Sequence, residues 1–491
     1  MPVSGSEPYD LAVIGAGPAG LAGAVAAADM GLKVALLDAS AHTGGQFYRT
    51  PHPALGAVRP EALHHDWSGY ADLRGRLAQS RIRHLPGHHV WSVTNESADV
   101  GATWAVHAVT GADGGDGRPV RLRARAVLLA TGAYERHLPI PGWTLPGVVA
   151  AGGAQAMLKS GLVLPGRRIV VAGSGPLLLA VASALAAAGA RVPAVVEASG
   201  YLRYARHPRA LVTNPHKSAE ALVHGTALLR HRVRVRMRSA VTEVHGTDRV
   251  EAVTVTRLDK NWRPAQGAGR RIQCDALAVG HGLMPQIELA TTLGCASRSL
   301  PDGTRALAVD RLQETSVRGL WAAGETGGVG GAALARTEGE LAGIAAAARL
   351  LGRLAPSGRV RALQRRRDRM RAFVDVMAAA HAPGPGWSRW LTDETEVCRC
   401  EEVTAGRIRE AVEDLGARDA RTVKLLTRAG MGWCQGRMCG AAVACLAACG
   451  RADGLPVERR PLAVPVPLAV LAGLDDPDGK PAGAPSYRPS T

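Results

Sequence analysis

Two strand–turn–helix units built on closely spaced glycines recur 158 residues apart, and this duplication limits the folds open to the chain more than any other feature. In the first, the apolar run Tyr9–Ile14 leads into Gly15-Ala16-Gly17-Pro18-Ala19-Gly20 and an Ala-rich stretch to Met30. A second run, 33–37, ends at Asp38. In the other unit, 168–172 leads into Gly173-Ser174-Gly175-Pro176-Leu177-Leu178, a helical stretch to Ala188 and a run ending at Glu197. This is the pattern that grips a dinucleotide. The first glycine permits a tight turn, the second lets the backbone approach a pyrophosphate, and the third lets the helix sit close on the strand. The acid at the end of the second strand accepts ribose hydroxyls. Gly15, Gly17, Gly20 and Asp38 meet each requirement, with Pro18 and Ala19 opening the helix.

The second unit departs from the pattern. Leu178 replaces the third glycine, so helix and strand should pack further apart, and Pro176 removes an N–H that could meet a phosphate. Gly173, Gly175 and Glu197 remain. Glu197, without a basic neighbour, favours the 2′-hydroxyl of NAD over the 2′-phosphate of NADP. NAD(H), another adenine nucleotide and no ligand at all stay open as readings of this site.

Ile169–Ala190 runs 22 residues without a charge, the length of a membrane span. Gly173, Gly175 and Pro176 divide it into a buried strand and helix instead. Met1–Asp10 has neither the basic nor the apolar region of a secretory signal, so the expected compartment is the cytoplasm, with peripheral contact at the inner face of the membrane left open. The chain carries 59 Lys+Arg against 42 Asp+Glu, a net charge of +17. Nearly all of the basic residues are Arg, which together with abundant Ala and Gly points to genome composition, and no nucleic-acid partner is expected.

A length of 491 residues accommodates several domains. The expected class is α/β, with two dinucleotide-binding, Rossmann-like domains and a small, mainly helical C-terminal domain. Residues 1–145 and 286–350 form the first, discontinuous domain, with a hairpin tip at Asp113-Gly114-Gly115-Asp116-Gly117, and 146–285 form the second. Residues 351–390 hold a basic amphipathic helix leaving the core and a linker broken by Pro383-Gly384-Pro385-Gly386. Residues 391–450 are a separate Cys-rich domain. Residues 451–491, with Pro456, Pro461, Pro465 and Pro467, read as an extended arm.

Six of the eight Cys fall between Cys398 and Gly450. In an extended loop residues i and i+2 point the same way, so Cys398 and Cys400 can offer two thiolates to one centre, with Cys434 and Cys439 as the second pair. Gly430, Gly432, Gly436 and Gly440 let backbone N–H groups crowd close to sulfur. Four thiolates suit a [2Fe–2S] cluster or structural zinc, and the Cys-x-Cys spacing tilts the choice toward iron. Cys274, Cys295, Cys445 and Cys449 read as buried small apolar positions. No Ser/His/Asp triad or acid–base pair stands out. His281, after Gly280 at a strand end, is the one catalytic candidate.

Several further motifs carry a resemblance. Gly44-Gly45-Gln46, Leu129-Ala130-Thr131-Gly132 and Gly319-Leu320-Trp321-Ala322-Ala323-Gly324-Glu325 resemble the flavoprotein reductases with two dinucleotide-binding domains. The resemblance implies FAD at the first fingerprint. Gly45, Gln46, Val90, Thr131 and Gly132 would then lie along it, and Gly324-Glu325 at the flavin side of the pyrophosphate, where the family usually has Asp instead of Glu325. No Cys pair follows Gly44-Gly45 or the second fingerprint, so the redox disulfide of such reductases is missing. The segment from Val397 to Gly440 resembles bacterioferritin-associated-ferredoxin-like domains, which implies a [2Fe–2S] cluster on Cys398, Cys400, Cys434 and Cys439.

With Pro141-Gly142-Trp143-Thr144-Leu145-Pro146-Gly147-Val148 and Gly153-Ala154-Gln155, residues 9–470 are similar to the large subunits of opine oxidases, hydrogen cyanide synthase and dye-linked proline or hydroxyproline dehydrogenases. That family implies a flavin-dependent oxidoreductase working as an electron-transfer subunit. Its partners would be a D-amino-acid-oxidase-like FAD subunit, which attacks a C–N bond, and a small ferredoxin-like subunit, with a quinone as acceptor. The competing reading is a self-sufficient NADH-dependent acceptor reductase.

Overall fold

The computed structural model describes residues 7–64, 66–96, 103–111, 117–265, 267, 269–448, 460 and 462–473. The hairpin tip at 113–116, Cys449, Pro456 and Pro461 lie outside the described residues.

The fold is mixed α/β. A seven-stranded sheet runs in the order Arg83–Leu85, Val34–Leu37, Tyr9–Ile14, Arg118–Leu129, Trp104–Thr110 and His88–Asn95, with Leu320–Ala322 also paired to Arg118–Leu129. Tyr9–Ile14 is parallel to both neighbours and its last four residues are buried. A strand covered on both faces must be apolar along its buried length, and these four are. Helix Pro18–Asp29 packs backbone to backbone on helix Ala332–Leu350: a Cβ on Gly339 would fall 2.0 Å from the Ala19 carbonyl oxygen, and one on Gly343 2.2 Å from that of Gly23.

A second, all-parallel sheet repeats the plan with five strands in the order Arg234–Met237, Ala194–Glu197, Ile169–Gly173, Ala276–Gly280 and Val148–Ala150. The uncharged run divides as expected, into strand Ile169–Gly173 and helix Leu177–Ala187. Among the described residues no helix is long and apolar enough to cross a membrane. A three-stranded antiparallel sheet, Ser239–His245, Ala252–Arg257 and Arg270–Gln273, lies beside the second unit.

One expectation about organisation needs correcting, and two further segments pack on the core. The basic helix, Ser357–His381, does not leave the core: Val360 and Leu363 pack on Ala26, Leu341 and Ile344, and its far end is buried at Ala380 and His381. The Cys-rich region shares one continuous apolar core with the second unit, because Trp387 and Trp390 fill the space between them. Trp143 Nε1 donates to the Glu396 carbonyl at 2.7 Å and Trp390 Nε1 to the Trp262 carbonyl at 3.0 Å. Residues 462–473 of the arm lie back on the first sheet, where Ala463 N–H donates to the Trp91 carbonyl and Val470 packs on Trp91 and Val109.

Candidate functional site

Helix Pro18–Asp29 starts at Gly17 with no side chain capping it, so the first-turn N–H groups of Ala19 and Gly20 face an open turn. A Cβ on Gly20 would fall 1.7 Å from the Gly15 carbonyl oxygen. This is the close approach for which the third glycine is required. The Gly44-Gly45 loop seats on the same turn: Gly44 N–H donates to the Ala16 carbonyl at 2.8 Å, and a Cβ on Gly45 would meet Gly17 Cα at 2.9 Å. Asp38 follows strand Val34–Leu37 directly. Its carboxylate accepts the Ala16 N–H at 2.5 Å and the Ser40 N–H at 2.6 Å and stays partly exposed. A carboxylate offers about four acceptor positions, so capacity remains for ribose hydroxyls.

The Thr131 hydroxyl donates to the Gln286 carbonyl at 2.7 Å, which fixes the loop at Gly132, where a Cβ would meet open space. Gln46 is exposed and accepts from Arg49 Nε at 2.8 Å. Val90 is buried in the sheet core with Ile14 and Leu37, so its side chain is unavailable and only its backbone can face a ligand. Glu325 departs from expectation. Its two oxygens accept the Gly330 and Gly331 N–H groups at 3.0 Å each, which turns the side chain into its own loop, and burial pushes its carboxyl above the usual range. The extra methylene relative to Asp lets it reach those amides. Gly324 is held instead by Glu338 Oε2, which accepts its N–H at 3.0 Å. The open helix end, the glycine contacts and the spare capacity of Asp38 together fit a bound dinucleotide.

At the second unit, Gly173 lies hard against the neighbouring strand, a Cβ there falling 1.7 Å from the Gly280 carbonyl oxygen, while a Cβ on Gly175 would meet nothing within 4 Å. Glu197 Oε2 accepts the Gly175 N–H at 3.0 Å and Oε1 the Ser199 N–H at 2.9 Å, and the side chain is wholly enclosed. His281 is not at a reaction surface. It is 4% exposed, its ring packs against Trp262 and Trp390, and burial with the nearby Arg136 and His137 lowers its pKa to about 3. It is a core residue.

The cysteines come from a hairpin and a glycine-rich loop. Strand Glu396–Cys398 pairs with Val403–Thr404, and Cys434 and Cys439 precede helix Gly440–Ala447. Cys398 and Cys439 are buried, Cys434 is half-buried and Cys400 is exposed. Cys398 lies beside Cys439 and Cys400 beside Cys434, and the two pairs interact electrostatically with each other. The Cys439 contact and the Gly430, Glu401 and Cys400 N–H groups bring the Cys398 thiol down to about 5. Gly430 N–H lies 3.4 Å from Cys398 Sγ. A Cβ on Gly432 would fall 2.3 Å from that of Cys400, so only glycine lets the two segments close on each other. Among the described residues no three His, Cys, Asp or Glu side chains surround one point. Two thiol pairs fit a two-iron cluster better than the single tetrahedron of zinc.

Comparison with known proteins agrees with this geometry. The family model described as pyridine nucleotide-disulphide oxidoreductase matches residues 9–347. The chain belongs to that family. A BFD-like [2Fe-2S] binding domain follows at residues 396–448, so this oxidoreductase pairs an FAD-type fold with an iron–sulfur domain. It is 36% identical to an opine oxidase subunit from Agrobacterium tumefaciens over 89% of this chain and 85% of that one. It is 31% identical to hydrogen cyanide synthase subunit HcnB of Pseudomonas protegens, over 87% and 89% respectively. L-proline dehydrogenase from P. horikoshii shares the fold, with a TM-score of 0.65 at 19% identity over 95% of this chain and 79% of that one. The oxidoreductase is a flavin-dependent enzyme.

Sequence reasoning missed Glu135, Arg371 and His381. Glu135 accepts the Gly152 and Gly153 N–H groups at 2.9 and 3.2 Å, and burial raises its carboxyl. The only signal was its place three residues beyond Gly132. Arg371 and His381 carried none, since they sit in a run of arginines and a helix whose destination depends on tertiary packing.

Proposed function

We propose that this oxidoreductase is the FAD- and [2Fe–2S]-containing electron-transfer subunit of a heteromeric dehydrogenase acting on the C–N bond of an amine or amino acid of the opine, proline or hydroxyproline kind. In this reading the bond is oxidised on a D-amino-acid-oxidase-like FAD subunit. The assembly is completed by a small ferredoxin-like subunit, and a quinone is the acceptor. The protein works in the cytoplasm, docked peripherally at the membrane.

The observation that carries the proposal is the contact between the cysteine loop and the dinucleotide-binding unit. Arg437, between Cys434 and Cys439, places Nε 3.2 Å from Oε1 of Glu288, which is buried. Glu288 stands two residues beyond Gln286, the partner of Thr131. Tyr134, two residues beyond Gly132, is pushed up to about 12 by burial, with Glu288, Arg437, Arg460 and Cys434 as its electrostatic neighbours. One ion pair therefore ties the loop of Cys434 and Cys439 to the segment whose Gln286 holds Thr131. A flavin supplies one- and two-electron chemistry and a [2Fe–2S] cluster one-electron chemistry. The chain's residues hold the two sites close and keep water from the Arg437–Glu288 contact. Two relatives, the alpha chain of sarcosine oxidase and the opine oxidase component, are by name subunits of larger enzymes, which supports the heteromeric reading.

The test is anaerobic purification of the tagged protein from its native cells, followed by addition of candidate amines. The expected result is a co-purifying flavoprotein whose substrate bleaches the flavin and iron–sulfur bands of this chain. Isolation with no such partner, and rapid bleaching by NADH alone, would favour the NADH-dependent reductase, the reading that the strand-end position of Glu197 suggests in the sequence.

A further inference from the structure

We infer that His381 is the specificity-determining residue that closes the second dinucleotide-binding unit, so that nicotinamide dinucleotides are excluded and electrons must come from elsewhere. This rests on the subunit reading above and names the residue that enforces it.

The two acids that end the second strand of each unit differ in what remains free. Asp38 takes two backbone N–H groups and is partly open to solvent. Glu197 takes two as well, and then two further groups cover it. The Tyr201 hydroxyl donates to Oε2 at 3.4 Å, and His381 Nδ1 stands 3.4 Å from Oε1. The two backbone N–H groups and the Tyr201 hydroxyl take three of a carboxylate's roughly four acceptor positions, the His381 ring stands against Oε1, and Glu197 is 0% exposed. A ribose diol has no oxygen left to reach.

His381 also sits on the glycine turn. Its carbonyl accepts the Ser174 hydroxyl at 3.2 Å, and Ser174 Oγ lies 3.4 Å from Nδ1. Ser174 is the residue between Gly173 and Gly175, so the helix end is tied to the glycine turn itself. On the far side, Nε2 is 3.1 Å from the Tyr204 hydroxyl, and the Tyr201 and Tyr204 rings flank the imidazole at centroid distances of 5.6 and 5.7 Å. The ring is thus wedged in by aromatic faces and tied by hydrogen bonds. Ten residues earlier on the same helix, Arg371 anchors it to Glu338 with two contacts of 2.7 Å, so its end is held in place rather than resting there.

The experiment is calorimetric titration of the FAD-loaded full chain with NADH and, separately, ADP-ribose, while flavin absorbance is followed anaerobically. Wild type should bind neither, with Kd above about 1 mM. His381→Ala should gain ADP-ribose affinity by at least about tenfold, a gain that Glu197→Gln in the same background abolishes. His381→Asn keeps an N–H near Nδ1 but vacates the outer half of the ring, and is the milder variant if the alanine form does not fold; it should gain affinity as well. Absence of any gain in a folded variant overturns the inference. So does wild-type NADH binding. If that bound NADH leaves the flavin oxidised, the inference fails alone; if it reduces the flavin, the subunit reading fails with it. A chain that binds no NADH yet accepts no electrons from any amine-oxidising partner would sink the subunit reading and leave the closed site standing.

Discussion

Arg371 meets both carboxylate oxygens of Glu338 at 2.7 Å, and Glu338 in turn takes the Gly324 N–H at 3.0 Å. An arginine outside the nucleotide fold thereby holds the loop expected at the flavin. The Glu338 side chain is 2% exposed and that of Arg371 15%. Removing one partner of a buried pair leaves the other charge uncompensated, and Arg371→Ala should cost about 3–5 kcal/mol, read as a lower urea midpoint, with weakened FAD retention. Arg371→Lys should recover only part of this, because an ammonium cannot make the paired contacts.

The two cofactor sites should fail separately. Cys400 is exposed, so Cys400→Ser should lose iron and acid-labile sulfide while FAD stays stoichiometric. Asp38→Ala should weaken FAD and leave the iron content unchanged. Loss of both cofactors in both variants would show that the shared core couples the sites. Cys398 is buried in that core, and Cys398→Ser should be the more destabilising of the two cysteine changes.

Gly20→Ala places a methyl 1.7 Å from the Gly15 carbonyl oxygen, and backbone cannot move aside cheaply. Purified Gly20→Ala should carry little FAD by absorbance. Gly132→Ala meets no neighbouring atom but sits at φ +80°, so its cost in the folding equilibrium should be about 1 kcal/mol, from the backbone conformation.

His281 is neutral in the fold, with a pKa lowered to about 3 by burial and by the nearby Arg136 and His137. In the unfolded chain it binds a proton below its ordinary 6.5. Its contribution to stability is therefore complete above pH 6.5 and declines as pH falls toward 3, by roughly 1.4 kcal/mol per pH unit. Urea midpoints at pH 7.5, 6 and 5 should fall more steeply for wild type than for His281→Leu. Equal slopes would mean that the ring gains a proton without unfolding.

The first glycine turn, its acid and the four cysteines were legible because their chemistry is local. A turn, a helix end and a strand-end carboxylate lie within some 25 residues of one another, and spacing determines what they can hold. The fold class followed from the same periodicity. Glu325 and Cys398/Cys400 show where this stops. The reach of one methylene decided that Glu325 bonds its own loop, and the bend after Cys398 decided which thiols pair.

The chain's order of residues by itself determined two dinucleotide-type units and a cysteine-rich segment, since glycine spacing and strand periodicity depend only on neighbours in sequence. Only the tertiary structure decided that helix Ser357–His381 crosses from one unit to the other, because its apolar residues Val360, Leu363, Phe373 and Val374 specify burial but not the surface that buries them. That choice of surface brings His381 to Glu197, 184 positions away in the sequence, just as packing of the cysteine loop brings Arg437 to Glu288. Contacts of such range follow from how whole elements pack, and no spacing in the sequence announces them.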